Sequence, residues 1–171
     1  MDNPFSVRRT EATLSQLELR FGHRVLDGGC GPGRLSIPIA KAVGVKGRVL
    51  AVDIQPEMLR RAQRKAEEAA ADNIDFLQAG LGEGRLPRDW FDRAVLSTVL
   101  GEIPDRPAAL REIYSAIKSG GFLLVNEVIG DPHYQSLAKV KALAADVGFR
   151  PSVVYGGRMA FAVKLEKSSG A

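Results

Sequence analysis

The stretch Val25-Leu26-Asp27-Gly28-Gly29-Cys30-Gly31-Pro32-Gly33 restricts the fold more than any other part of the chain. A short strand, Arg24 to Asp27, runs straight into glycines spaced at 29, 31 and 33, and a helix is expected to follow through about Val43. Alternating glycines permit positive φ angles and let a ligand approach the backbone where a Cβ would obstruct it. In open α/β sheets ligands bind outside the carboxyl ends of the strands, which is where such a loop lies. The stretch therefore predicts a parallel sheet with a ligand cradle at the end of its first strand.

The remaining sequence alternates short apolar runs with amphipathic helical stretches, the pattern of an α/β fold. A helix is expected from about Thr10 to Leu19. Further strands are expected at Arg48–Asp53, Ile74–Gln78, Phe91–Ser97 and Phe122–Glu127. Helices are expected from Pro56 to about Ala71, through Leu110, Ile113, Tyr114 and Ile117 to Gly120-Gly121, and from Leu137 to Val147. Val153-Val154-Tyr155 and Arg158 to Leu165, joined by Gly156-Gly157, read as a hairpin with a two-residue turn. The expectation is five βα units closed by a β-hairpin. That is a Rossmann-like, mostly parallel seven-stranded open sheet with one antiparallel strand, in a single domain spanning 1–171. Residues 1–9 and 167–171 are expected to be flexible.

Composition excludes several function classes. A single cysteine, Cys30, rules out an internal disulfide and any Cys-rich zinc site, and two histidines, His23 and His133, argue against a His-rich metal centre. No metal is expected. No apolar run approaches the roughly 20 residues needed to cross a bilayer, and Met1 to Thr10 is polar, so a cytoplasmic location without membrane contact is expected. The net charge of +4 admits a nucleic-acid partner. From Asp131 onward, however, Lys139, Lys141, Arg150, Arg158, Lys164 and Lys167 face only Asp131, Asp146 and Glu166 without forming a dense run. A solvated basic face is favoured over a nucleic-acid surface.

The dinucleotide fingerprint G-x-G-x-x-G fails here. Starting at Gly29 it needs glycine at Arg34, and starting at Gly31 it needs glycine at Ser36. Asp27 adds a second objection, because a carboxylate before the loop repels a pyrophosphate, whereas it attracts an ammonium or a sulfonium. The ligand expected is small and cationic, and a nucleotide-dependent oxidoreductase becomes the weaker alternative.

Asp27-x-Gly29-x-Gly31-x-Gly33 resembles the first motif of the class I S-adenosylmethionine-dependent methyltransferases. Phe91-Asp92, Leu100-Gly101-Glu102-Ile103-Pro104-Asp105, Ala109-Leu110-Arg111-Glu112-Ile113 and Lys118-Ser119-Gly120-Gly121-Phe122-Leu123 are similar to later segments of small methyltransferases of this type. The resemblance covers roughly Arg24 to Glu127. It implies S-adenosylmethionine as cofactor, S-adenosylhomocysteine as product, and methyl transfer to an unidentified acceptor, a small molecule being favoured. It also implies that Asp27, Gly28, Gly29, Cys30, Gly31 and Gly33 hold the methionine portion. Asp53 would bind the ribose hydroxyls and Ile54 would pack beside the adenine, with Gly80, Leu81 and Ser97 completing the cofactor set. The family often has Gly-Asp-Ala after the third strand, where this chain has Ala79-Gly80-Leu81, and Glu83 is the candidate substitute for that missing acid. Many relatives carry histidine where Gly101 stands, so a family-type catalytic histidine is not expected.

On the acceptor side the candidates are Glu102, His133 and Tyr134. Glu102 either orients the acceptor or caps the following turn, with capping favoured, and His133 and Tyr134 serve as a base or a stacking wall. Asp131-Pro132-His133-Tyr134 is superficially similar to the Asp/Asn-Pro-Pro-Tyr motif of amino-group DNA methyltransferases, but that motif follows the fourth strand and this one the fifth. Cys30 reads as a small packed residue, since no neighbouring His or Lys in sequence would activate a thiolate. A regulatory module that holds the cofactor without turnover is the other alternative.

Overall fold

The computed structural model describes residues 4–168. The helices are α1 (Pro4–Gln16), α2 (Ser36–Val43), α3 (Pro56–Glu68), α4 (Arg106–Ala116) and α5 (Leu137–Asp146). The strands are β1 (Arg24–Gly28), β2 (Arg48–Asp53), β3 (Ile74–Gln78), β4 (Phe91–Ser97), β5 (Ile117–Val128), β6 (Arg150–Gly156) and β7 (Ala160–Glu166). They form a seven-stranded Rossmann-like sheet in the order β3-β2-β1-β4-β5-β7-β6. Pairings are parallel between β1 and β2, β2 and β3, and β4 and β5. The strand β7 runs antiparallel to both β5 and β6. No described helix is long and apolar enough to cross a membrane.

The chain divides into two compact units, Met1–Gln78 and Ala79–Ala171. In the first, β1 and β2 bury Val25, Leu26, Val49, Ala51 and Val52 almost completely. The helix α2 presents Ile39 and Val43 to this core, and α3 presents Leu59, Ala62 and Ala66. The outer face of α3 carries Glu57 paired with Arg60 and Arg61 at i+3 and i+4. Asn73 donates from Nδ2 to the carbonyls of Ala40 and Gly44, both at 2.9 Å, tying the end of α2 to the segment that leads into β3.

In the second unit Phe122 to Glu127 are buried along β5, as expected for a strand covered on both faces. Leu110 and Ile113 of α4 are fully buried, and Tyr114 meets Phe149 edge-on with ring centroids 4.9 Å apart. At the sheet edge, β6 is exposed along nearly its whole length.

Four features depart from the sequence reading. The first helix spans Pro4–Gln16 rather than 10–19; proline suits its first position, and Glu18 at φ 49° ends the run. Only four βα units form, because residues 79–90 between β3 and β4 contain turns, with Gly82 and Gly84 at positive φ. Ile117 shares the helical spacing of Leu110, Ile113 and Tyr114, yet its ψ of 137° makes it the first residue of β5. The hairpin turn spans residues 157–159, since Gly156 pairs with Phe161 and the Gly157 N–H donates to the Ala160 carbonyl. The terminal segments expected to be flexible include residues 1–3 and 169–171, which lie outside the described residues. Residues 4–9 fall in α1, and Lys167 donates to Asp89 at 3.0 Å and to the Ile117 carbonyl at 2.6 Å.

Candidate active site

In the first unit β1 delivers Asp27 and Gly28 to the carboxyl edge of the sheet, and the chain then turns through Gly29, Gly31 and Gly33 at φ 65°, 53° and 82°. These are left-handed conformations that glycine adopts without cost. The two later glycines serve different ends. A Cβ at position 33 would lie 3.1 Å from the Ala62 Cβ, so Gly33 lets the loop pack against α3. A Cβ at position 31 would meet nothing within 4 Å, so the space beside Gly31 is open.

The loop is held from β2. Asp53, only 8% exposed, accepts from the Gly31 N–H at 2.8 Å through Oδ2 and from the Gln55 N–H at 2.9 Å through Oδ1. The Cys30 N–H donates to the Val52 carbonyl at 2.9 Å. Asp53 and the loop are therefore one rigid unit, 22 residues apart in sequence. Next to Asp53, Ile54 is 65% exposed, unusual for isoleucine.

Asp27 is 2% exposed and accepts from the Ser36 hydroxyl at 2.5 Å. Burial pushes its carboxyl up to about 6; the Ser36 hydrogen bond pulls the other way, and the charge of Asp53 adds to the rise. Burial, reinforced by Asp27 and Asp53, also pushes the Cys30 thiol far above its ordinary value. A thiol held in that form is no nucleophile, in keeping with Cys30 as a packed residue. Asp27, Gly28, Gly29, Cys30, Gly31, Gly33, Asp53 and Ile54 are thus brought together. Ser36, which orients Asp27, was missed by sequence reasoning, although its place at the start of α2 was a usable signal.

The second unit holds the other candidates. Gly80 and Leu81 follow β3, and the Glu83 carboxylate lies over Gly80, its Oε1 only 2.6 Å from where a Cβ would stand. Glutamate at 83 thus fills the place a side chain at 80 would take. Ser97 ends β4, and its carbonyl accepts from the Thr98 hydroxyl at 2.7 Å. Glu102 lies exposed in a short 3-10 turn, Leu100–Glu102. It does not cap α4: Asp105 does, accepting from the Ala108 N–H at 2.9 Å, because it is Asp105 that directly precedes the helix. His133 is exposed, and its N–H donates to Asp131 at 2.7 Å. Tyr134 is half-buried, edge-on to Phe161 with centroids 6.3 Å apart.

The loop 131–136 crosses directly over Gly101, so that a Cβ there would fall inside the His133 carbonyl oxygen. Glycine at 101 is thus a steric requirement of this loop path. Beneath the loop lies Glu127, 2% exposed, with Oε2 accepting from the Gln135 N–H at 3.1 Å and Oε1 without a partner. Burial pushes its carboxyl up to about 7, with Asp131 adding to the rise, while the Gln135 N–H and Arg106 oppose it. Glu127 was missed in sequence. Among the described residues no cluster of three His, Cys, Asp or Glu could hold a metal.

Comparison with known proteins agrees with this geometry. The model of the methyltransferase domain family matches residues 25–121, more than half of the chain. The ubiquinone/menaquinone biosynthesis C-methyltransferase UbiE of Vibrio vulnificus is 37% identical over 122 residues, covering 71% of this chain and 46% of the relative. The chain thus spans about half the length of the curated relatives it matches. A crystal structure of an S-adenosylmethionine-dependent methyltransferase from Aquifex aeolicus superposes with a TM-score of 0.87 at 25% identity, covering 96% of this chain and 93% of that one. The [4+2]-cyclase SpnF shares the fold, with a TM-score of 0.84 at 19% identity over 95% of this chain and 82% of its own. Motif, sheet order and family match converge: the chain belongs to the class I S-adenosylmethionine-dependent methyltransferases.

Proposed function

We propose that this methyltransferase moves the methyl group of S-adenosylmethionine to a carbon atom of a small organic acceptor. The observation that carries the reading is the clamp of Asp53 on the Gly31 N–H beside open space. The residues present fit the cofactor. A carboxylate offers about four acceptor positions, and the Gly31 and Gln55 N–H groups take two on Asp53, leaving room for a ribose diol. Asp27 supplies the negative charge that an ammonium and a sulfonium seek. Exposed Ile54 offers an apolar surface for adenine; the family resemblance adds Gly80, Leu81 and Ser97 to the cofactor set, with Glu83 the candidate acceptor for the adenine amino group. The finer choice of carbon rests on the likeness to the Vibrio vulnificus relative, a C-methyltransferase by name.

S-adenosylmethionine, when bound, would supply an already activated methyl for in-line displacement, with S-adenosylhomocysteine as the product. The protein's main task is then alignment, which contributes roughly 7–11 kcal/mol in the best-oriented model reactions. Glu102, His133 and Tyr134 are the acceptor-side candidates. Methylation at carbon obliges that carbon to lose a proton, and the His133 imidazole is the group assigned to take it. The test is S-adenosylhomocysteine formation across a panel of phenols, amines and thiols, with the methylated atom located by NMR. Carbon-methylated phenol is the expected product; methylation confined to amines or thiols contradicts the carbon assignment. A fold shared with a [4+2]-cyclase does not by itself entail methyl transfer, so saturable cofactor binding with no turnover on any acceptor favours a binding module.

A further inference from the structure

The β6–β7 hairpin closes a cavity that none of the cofactor residues enters. The pairings of Val128 with Ala160 and of Gly156 with Phe161 bring the hairpin turn beside the carboxyl end of β5. The Ile129 N–H donates to the Met159 carbonyl at 2.9 Å and fixes it there. The resulting cavity, of about 770 Å³, is walled by Ile129, Tyr134, Val154, Met159 and Phe161, with Arg158 at its edge. That size falls within the range of about 300–1,000 Å³ typical of small-molecule sites.

Two features of the lining suit a ligand. Ile129, Val154 and Met159 line the cavity while 49%, 39% and 70% exposed, which leaves large apolar side chains in water. Arg158 has no ion pair among the described residues. An unpaired guanidinium presents a planar fork of donors that matches a carboxylate in bidentate fashion. Apolar walls with one cation select an occupant that is itself apolar with one negative end. Tyr134, one of the acceptor-side candidates, is shared by this cavity.

We propose that this cavity binds a small amphiphilic organic anion, its apolar body against Ile129, Val154 and Met159 and its anionic group on Arg158. Taking that anion to be the methyl acceptor rests on the methyl-transfer reading above; the binding itself does not. The probe is 1-pyrenebutyrate, an aromatic carboxylate whose fluorescence reports transfer out of water, compared with 1-pyrenemethylammonium on the full chain. Saturable binding of the anion, at least tenfold tighter than the cation, is expected. Arg158→Gln should weaken the anion at least tenfold, and Val154→Asp should abolish its binding. Both variants should bind S-adenosylmethionine as the unaltered chain does, which also reports that they fold. Equal affinity for the two probes, or for the anion in Arg158→Gln, overturns the proposal. So does self-association of the chain through this face, removed by Val154→Asp, without probe binding. Failure of S-adenosylmethionine to bind the unaltered chain would instead count against the cofactor reading and leave the probe result standing.

Discussion

Asp27 and Glu127 are both carboxyls at the carboxyl ends of strands, both 2% exposed and both raised by burial, to about 6 and about 7. They differ in what surrounds them. Asp27 accepts from the Ser36 hydroxyl and lies in a loop whose glycines leave space for a ligand. Glu127 accepts from the Gln135 backbone, and its second oxygen, like Gln135 Oε1, is buried without a partner. A proton on Glu127 would turn an orphaned acceptor into a donor. Burial of an acid thus raises both carboxyls, at β1 beside a loop that leaves open space for a cationic ligand and at β5 beneath a loop that the same carboxyl holds through the Gln135 N–H.

The largest effect that separates the two regions is steric. Gly101→Ala drives a methyl into the His133 carbonyl and should cost about 3 kcal/mol in urea denaturation while leaving S-adenosylmethionine affinity unchanged. Gly31→Ala should cost only about 1 kcal/mol for its left-handed backbone, yet weaken the cofactor more than tenfold by filling the open space. If the two variants behave alike, the division into loop-closing and ligand-holding regions is wrong.

Titration gives the next effect. The folded Glu127 carboxyl is raised to about 7 from 4.5, so between those values the folded state holds a proton that the unfolded state lacks. Stability therefore falls as pH rises from about 4.5 to about 7, by on the order of 3 kcal/mol, and is level beyond. Glu127→Gln, neutral at every pH, should flatten the part of the slope between about 6 and about 7 and leave below it the slope that Asp27, raised to about 6, supplies, both read from urea midpoints. A slope retained between about 6 and about 7 in the variant would transfer the effect to other groups.

Asp27 makes a smaller and distinct contribution. A cationic ligand pulls its carboxyl back down from about 6, so binding at pH 6 should release up to about half a proton, and at pH 8 none. Calorimetry in two buffers of different ionisation enthalpy measures this directly. Ser36→Ala should cost about 1 kcal/mol of stability and move that release to higher pH, because it removes the hydroxyl that holds Asp27 down.

The first region was legible in sequence and the second was not, for a physical reason. Glycines at 29, 31 and 33 are a local signature, since each supplies a backbone angle that other residues resist, and the acid before them completes a pattern within seven residues. The bounds of β2, β3 and β4 were equally plain, and in β2 and β4 the apolar runs Val49 to Val52 and Ala94 to Leu96 are those of buried parallel strands. Glu127 sits in Leu-Leu-Val-Asn-Glu-Val, where nothing local distinguishes a buried acid from an exposed one. Its partner Gln135 is eight residues on, past a loop whose path depends on Gly101. The Glu83 carboxylate over Gly80 was half legible: the missing acid was evident, and its replacement depended on turn geometry at Gly82. The helix α4 ended one residue before its spacing suggested, because Ile117 satisfies helix and strand patterns alike.

The claim that Asp53 and the glycine loop form the cofactor site is tested most directly by calorimetric titration of the chain and of Asp53→Ala with S-adenosylmethionine and with NADH. Saturable binding of S-adenosylmethionine by the unaltered chain is expected, weakened roughly a hundredfold in Asp53→Ala with the circular dichroism spectrum preserved, and no binding of NADH. Unchanged affinity in Asp53→Ala, or binding of NADH alone, would contradict it.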